Sequence, residues 1–173
     1  MFNNGRMMDG MSGVRWLNAE EQRVWRAFMT AVTKFSEHLD RQLQRDSGMP
    51  MAYYEILVAL SEAEGRAMRM SELAAVCHSS RSRLSHAVAR LEKEGWVARR
   101  ACPSDRRGSI AELTEEGFAV LEAAAPGHVT AVREHLFDVL SGEQLRVLAE
   151  ISRAIDSGLT VECAKAREEL AEL

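Results

Sequence analysis

The stretch that decides the fold is SSRSRLSHAVARLEKEGWV, residues 79–97. It begins with two serines, a residue type that caps helix N-termini, and its glycine is a residue type that ends helices. Between them Leu84, Val88 and Leu91 recur at spacings of four and three, which is typical of a helix with one buried face. The pattern predicts a helix over residues 81–94 whose other faces are polar and basic.

A shorter helix is predicted immediately upstream, over residues 71–77, with Ser71 as its cap. Its apolar positions Leu73, Ala74 and Val76 are expected to point inward. Two short helices joined by a tight turn predict a helix-turn-helix, in which the second helix lies in the major groove of duplex DNA. The candidate DNA contacts on and before this second helix are Ser79, Ser80, Arg81, Ser82, Arg83, Ser85, His86 and, farther along, Arg90.

The residues downstream alternate between apolar and polar types in two runs, residues 96–101 and 109–113. The segment between them, residues 103–108, contains the proline, serine, aspartate and glycine expected at a hairpin tip. The pattern predicts a β-hairpin beside the second helix, which would form the wing of a winged helix-turn-helix.

The wing contributes further basic residues. Arg99, Arg106 and Arg107 are candidate DNA contacts, and an arginine on a loop favours the negative potential of a narrow minor groove. Asp105 is expected to pair with Arg107 and lock the tip, so that Arg106 projects outward.

The charge distribution favours a nucleic-acid-binding segment. The whole chain carries −4, but residues 66–108 contain ten Arg and Lys against four acids, a net +6, so the remainder carries −10. A basic middle between acidic flanks is typical of a phosphate-binding module on a scaffold that does not bind DNA.

Long helices are predicted on both sides of this module. A reciprocal cap of Asn18 and Glu21 begins the first, which carries an apolar stripe for about seven turns and stops at Gly48. Thr114 begins the helices that follow the wing, and the last of these is predicted as a separate short helix from Thr160. The stripe of the first helix consists of Trp25, Phe28, Val32, Phe35, Leu39 and Leu43.

The predicted fold class is therefore mainly α with a small β-hairpin wing (α+β), a winged helix-turn-helix flanked by long dimerisation helices. The expected divisions are a disordered tail (1–14), an N-terminal dimerisation helix (15–48), the DNA-binding module (50–113) and C-terminal dimerisation helices (114–173).

Composition excludes several classes of protein. With 46% hydrophobic and 28% charged residues and no apolar run of about 20, the chain is expected to be a globular cytoplasmic protein. The three cysteines form no zinc-ligand pattern, so neither a metal nor a cofactor is expected. No catalytic motif is present, which argues against an enzyme.

Several motifs together resemble the multiple-antibiotic-resistance regulator (MarR) family, over roughly residues 20–157. They are SELA at 71–74, SRS at 80–82, RLEKEGWV at 90–97, DRR at 105–107 and LTEEG at 113–117. Two departures are His78, where the family usually has a small residue or glycine, and Arg83, where threonine is common.

The resemblance implies a homodimer whose terminal helices interlock and whose two winged modules bind a pseudo-palindromic double-stranded DNA operator. It also implies a repressor released by a small aromatic or phenolic effector. Residues that could line the effector pocket are Trp16, Trp25, Phe28, His38, Met51, Tyr53 and Tyr54.

One alternative remains at this point, a winged-helix module used for protein–protein assembly. DNA binding needs basic residues on both the helix and the wing, whereas a protein partner does not. The combination of Arg81, Arg83 and Arg106 therefore favours DNA.

Overall fold

The computed structural model describes the backbone of residues 14–102 and 105–171, and the side chains of residues 14–102 and 108–159. The predicted tail therefore lies outside the described residues except for Val14. The helices are α1 (Ala19–Ser47), α2 (Met51–Glu62), α3 (Met70–Val76), α4 (Arg81–Lys93), α5 (Glu115–Val132) and α6 (Gly142–Ala171). The strands are β1 (Ala67–Arg69), β2 (Val97–Cys102) and β3 (Asp105–Leu113). A 3₁₀ turn precedes β1 at Glu64–Arg66, and a π-helical turn follows α5 at Arg133–Phe137.

The chain divides into two compact units, Met1–His38 and Leu39–Leu173. In the first unit, the predicted cap of α1 is confirmed. Asn18 Oδ1 accepts from the backbone N–H of Glu21 at 2.9 Å, and Glu21 Oε2 accepts from the N–H of Asn18 at 2.7 Å. These bonds satisfy two backbone donors that a helix start leaves unpaired.

In the second unit, the core lies among α2, α3, α4, α5 and the sheet. The inward positions predicted for α4 are confirmed, since Leu84, Val88 and Leu91 are buried, and Leu57 and Leu60 of α2 are buried in the same core. Val76 is a correction, because it is exposed at the end of α3, where it lies beyond the core.

The sheet has the order β1-β3-β2 and is antiparallel throughout. The hairpin of β2 and β3 is confirmed, but β1 was not predicted from the sequence. It contains only three residues, and its alternation is too short to be recognised as a strand. Its pairing of Met68 with Ala111 joins the start of α3 to the wing.

Three predicted element ends are wrong. Ser71 does not cap α3, which begins one residue earlier, and Glu72 instead accepts from the Arg69 N–H at 3.4 Å. Residues 105–108 lie on β3 and are not part of the hairpin tip. The separate helix expected from Thr160 is a continuation of α6, which runs through Gly158 without a break.

No helix in the described ranges, 14–102 and 105–171, has the length and apolar character needed to cross a membrane.

Candidate nucleic-acid interface

Helix α4 has one buried and one exposed side. Ser80 caps it as predicted, because its Oγ accepts from the backbone N–H of Arg83 at 3.2 Å. Leu84, Val88 and Leu91 are anchored in the core, which orients the helix about its axis. Ser85 is half-buried, and the other candidates on this helix are exposed at its solvent side, namely Arg81, Ser82, Arg83, His86 and Arg90.

The turn between α3 and α4 is closed by backbone hydrogen bonds. The N–H groups of His78 and Ser79 donate to the carbonyls of Ala75 and Ala74, at 3.2 and 2.9 Å. His78 has φ +45°, a left-handed conformation that favours glycine because a Cβ is crowded there. A histidine at this place in the turn is therefore strained. This is the position where the family resemblance leads one to expect a small residue.

Arg99 was predicted to contact DNA, and the structure gives its guanidinium two partners within the protein. Its Nε lies 2.9 Å from Glu92 Oε2, and its terminal nitrogen donates to the Ser85 carbonyl at 2.7 Å. Its side chain is 27% exposed. Arg99 therefore joins β2 to the middle of α4. Sequence reasoning missed this role because the partners lie seven and fourteen residues away.

The remaining predicted contacts are Ser79, which lies just before α4, and the arginines at the start of β3. Ser79 is half-buried, and its Oγ lies 3.5 Å from the carbonyl of Ser80. The backbone of Asp105, Arg106 and Arg107 lies on β3, but their side chains are outside the described residues. The predicted pairing of Asp105 with Arg107 stays a prediction.

The base of the wing is fixed to the start of α5 through Thr114. Its hydroxyl donates to the Gly95 carbonyl at 2.7 Å and accepts from the Gly117 N–H at 3.0 Å. Gly117 packs against the Trp96 carbonyl so closely that a Cβ could not fit. The LTEEG motif therefore attaches the wing to a helix outside the winged module.

A groove of about 450 Å³ lies between α3, α4 and the wing. Arg69, Arg81 and Arg99 line it together with Ser71, Ser85 and Ser109. Sequence reasoning included Arg69 in the basic segment but did not place it here, because β1 was not recognised. Three arginines beside the start of α4 make this side of the module positive.

A second cavity, also of about 450 Å³, lies on another part of the module, between α2, the end of α3 and α5. We call it the α2–α5 cavity. Met51 and Tyr54, both predicted as effector-pocket residues, line it, whereas Tyr53 is half-buried and packs against the core. Trp16, Trp25, Phe28 and His38 belong to the first unit, and their part in a pocket stays a prediction.

His128 lines the same cavity and was missed by sequence reasoning. Its ring lies 4.5 Å from the Tyr54 ring, centroid to centroid, with the planes inclined by 46°. Burial lowers the pKa of His128, because the charged imidazolium is disfavoured away from water, and raises the pKa of Tyr54. Burial, and to a smaller extent the Glu55 carboxylate, also raises the pKa of the Cys77 thiol in this cavity. Among the described side chains, no cluster of three or more His, Cys, Asp or Glu could hold a metal ion.

The comparisons with known proteins all point to the same family. Residues 47–108 match the model of the MarR family. The crystal structure of Sco3205, a MarR family transcriptional regulator from Streptomyces coelicolor in complex with DNA, is 58% identical. The match covers 84% of this chain and 92% of that one, with a TM-score of 0.82.

Two further matches agree. AbsC, a MarR family transcriptional regulator from Streptomyces coelicolor, is 43% identical over 85% of this chain and 99% of its own, with a TM-score of 0.80. The transcriptional repressor MprA of Escherichia coli K12 is 29% identical over 140 residues, which are 81% of this chain and 78% of the repressor.

Proposed function

This chain belongs to the MarR family of transcriptional regulators, and we propose that it represses transcription as a homodimer on a pseudo-palindromic DNA operator. It is a DNA-binding transcription regulator with a winged helix-turn-helix, and its relatives are regulators. Because such a regulator acts on operator DNA, we place it in the cytoplasm.

The observation that carries the proposal is the orientation of α4. Its three core residues are fully or almost fully buried, so its exposed arginines and His86 all point away from the module. A helix that lies in the major groove contacts base edges with the residues of its first turns. Arg81 and Arg83 occupy those turns, and a guanidinium can pair with guanine through two hydrogen bonds.

We assign different roles to the candidate residues. Arg83 reads a base, while Arg90, two turns farther along, contacts phosphate. The exposed Ser80 and Ser82 hydroxyls and the Ser80-capped helix start suit phosphate oxygens as well. Arg99 acts mainly by holding the wing against α4, since its guanidinium forms an ion pair with Glu92 and donates a hydrogen bond to the Ser85 carbonyl.

The homodimer is supported by apolar side chains that the single chain leaves exposed. On α1 these are Val24, Trp25, Phe28, Met29 and Val32, and on α6 they are Val147, Ile151, Ile155 and Leu159. Exposed apolar patches of this kind mark association surfaces. The proposed division of the chain follows: residues 15–48 and 114–173 dimerise, and residues 50–113 bind DNA.

The α2–α5 cavity supports release by a small molecule. It adjoins the end of α3 and the helix-turn-helix turn, where His78 is a lining residue. A ligand seated there contacts the turn that sets the position of α4 relative to α3, so its binding can favour one arrangement of the module over another.

Selection from random duplex DNA, followed by fluorescence anisotropy at several salt concentrations, tests the proposed function. We expect enrichment of an inverted repeat whose half-site centres lie about one helical turn, ~34–36 Å, or a multiple of it apart. Binding to the selected duplex is expected to be at least about 10³-fold tighter than to a scrambled duplex. Equal affinity for both duplexes would contradict sequence-specific regulation and favour the protein-assembly alternative.

A further inference from the structure

The α2–α5 cavity has an apolar lining on part of its wall. Met51, Val58 and Ala59 contribute it from α2, and Val76 contributes from the end of α3. Val76 is exposed although it is a large aliphatic residue. Side chains of this kind accept the flat face of a ring, because they offer apolar contact without a polar group to desolvate.

The charged residues of this cavity are all acidic. Glu55 and Glu62 line it from α2, and none of its described lining residues is a lysine or arginine. The groove beside the wing is the opposite case, since three arginines line it. An anion entering the α2–α5 cavity meets two carboxylates and no lysine or arginine, whereas a cation meets two partners of opposite charge.

Besides the two carboxylates, the cavity is lined by polar side chains of Tyr54, Cys77, His78 and His128. The Nδ1 atom of His128 is buried and has no hydrogen-bond partner among the described residues. Because burial lowers the pKa of His128, the imidazole is neutral near pH 7 and does not offset the two carboxylates. A buried ring nitrogen without a partner is a place where a ligand can supply the missing hydrogen bond. The Tyr54 ring beside it offers an aromatic face to a ring or a cation.

The geometry points to a planar aromatic cation, such as an aryl amidinium or a protonated aryl amine, as the ligand of the α2–α5 cavity. The ring packs on the aliphatic wall, the cationic group lies near Glu55 and Glu62, and a ring or amine hydrogen-bonding group reaches His128. This rests on the proposed function, in which the same cavity is the effector site. It differs from the phenolic anion that the family resemblance implies.

Three probes that share one ring and nearly one shape test the inference: benzamidine, benzamide and benzoate. Their binding to the full chain, without DNA, is measured by calorimetry at one pH, about 8, so that only the charge of the probe differs between the titrations. We expect benzamidine to bind at least about tenfold more tightly than benzoate, with benzamide between them. The imidazole resonances of His128 are expected to shift on addition of benzamidine.

The double variant Glu55→Gln, Glu62→Gln removes both charges at nearly constant shape. It is expected to reduce the benzamidine preference to about threefold or less. Glu143→Gln removes one exposed carboxylate at the start of α6, outside the cavity lining, and serves as the control with an unchanged preference.

Three results would overturn the inference: benzoate binding as tightly as benzamidine, a preference that survives the double variant, or no binding of any probe at millimolar concentration. Since these measurements use no DNA, they fail or succeed independently of operator binding. If the chain binds its operator but prefers benzoate, the proposed function stands and only the inferred class of ligand is wrong.

Discussion

The winged module and the terminal helices differ in where their apolar side chains lie. In the module, Leu57, Leu84 and Leu91 are at most 1% exposed. On the terminal helices, by contrast, Trp25 on α1 is 54% exposed and Ile151 on α6 is 48% exposed. The single chain thus completes the core of the module but leaves the stripes of its long helices uncovered. The difference is the one expected of the proposed homodimer, in which the module folds on its own contacts and a second subunit covers the long helices.

The largest effect is expected from a charge placed on the stripe of α1. Phe28→Asp should convert the dimer to monomer, because each subunit loses an aromatic contact and the two losses together are worth about 3–6 kcal/mol. Sedimentation velocity at micromolar concentration measures whether the variant is a monomer or a dimer. Thr30→Asp, two residues away and therefore on another side of the helix, is the control and should stay dimeric. A dimeric Phe28→Asp variant would remove the proposed role of the stripe.

The next prediction compares a buried leucine with an exposed isoleucine. Leu91→Ala should lower the free energy of unfolding by about 2–5 kcal/mol, because it leaves a cavity in the module core. Ile151→Ala should instead raise the dimer dissociation constant and leave the unfolding of the dilute monomer almost unchanged. Urea denaturation over a range of protein concentrations separates the two. Equal losses from both variants in dilute monomer would mean that the comparison between module and terminal helices is wrong.

Within the module, replacing Arg83 should affect sequence preference, as loss of a base contact does, whereas replacing Arg90 should affect salt dependence, as loss of a phosphate contact does. Arg83→Ala should cost about 1–3 kcal/mol of operator affinity and relax the preference at one base pair per half-site. Arg90→Ala should weaken binding to all sequences alike and flatten the dependence of log K on log salt by about one unit. Anisotropy titrations against an operator and its single-base variants measure both. A uniform loss from both variants would remove the base-reading role of Arg83.

The strained turn predicts a gain in stability. His78→Gly should raise the free energy of unfolding by about 1 kcal/mol, because glycine adopts φ +45° without the crowding of a Cβ. His78→Ala keeps the Cβ and is the matched control without a comparable gain. Thermal and urea denaturation measure the difference, and an equal gain from both variants would show that the imidazole, and not the backbone, is the source of the strain.

The smallest effect on stability is expected at the wing. Asp105→Ala should weaken operator binding although it removes a negative charge, because Arg107 would lose the predicted partner that orders this end of the wing before DNA binds. Arg106→Ala should weaken binding as well, and neither variant should change the melting temperature by more than the ~0–1 kcal/mol of an exposed ion pair. Tighter binding by Asp105→Ala at fixed salt would show that the carboxylate is merely repulsive.

The sequence predicted the parts of this fold that depend on local signals. The caps at Asn18 and Ser80 and the helix stop at Gly48 are all confirmed, because their partners lie within a few residues. What the sequence could not predict depends on residues distant along the chain. Strand β1 exists only because it pairs with β3, more than forty residues later.

The same limit applies to the candidate site. The arginines of α4 were recognised from helical spacing alone. The two partners of Arg99 and the contact of His128 with Tyr54 required the packed structure, since they join α4 to the wing and α2 to α5. Lone histidines and arginines carry no sequence signal for such pairings.

The central claim is that two winged modules, held together by the terminal helices, bind one operator. Sedimentation equilibrium of the chain with a selected duplex, and with the same duplex carrying one scrambled half-site, tests it most directly. The account predicts two chains on each intact duplex and an affinity at least about tenfold weaker when one half-site is scrambled. One chain per duplex, with equal affinity for both duplexes, would contradict it.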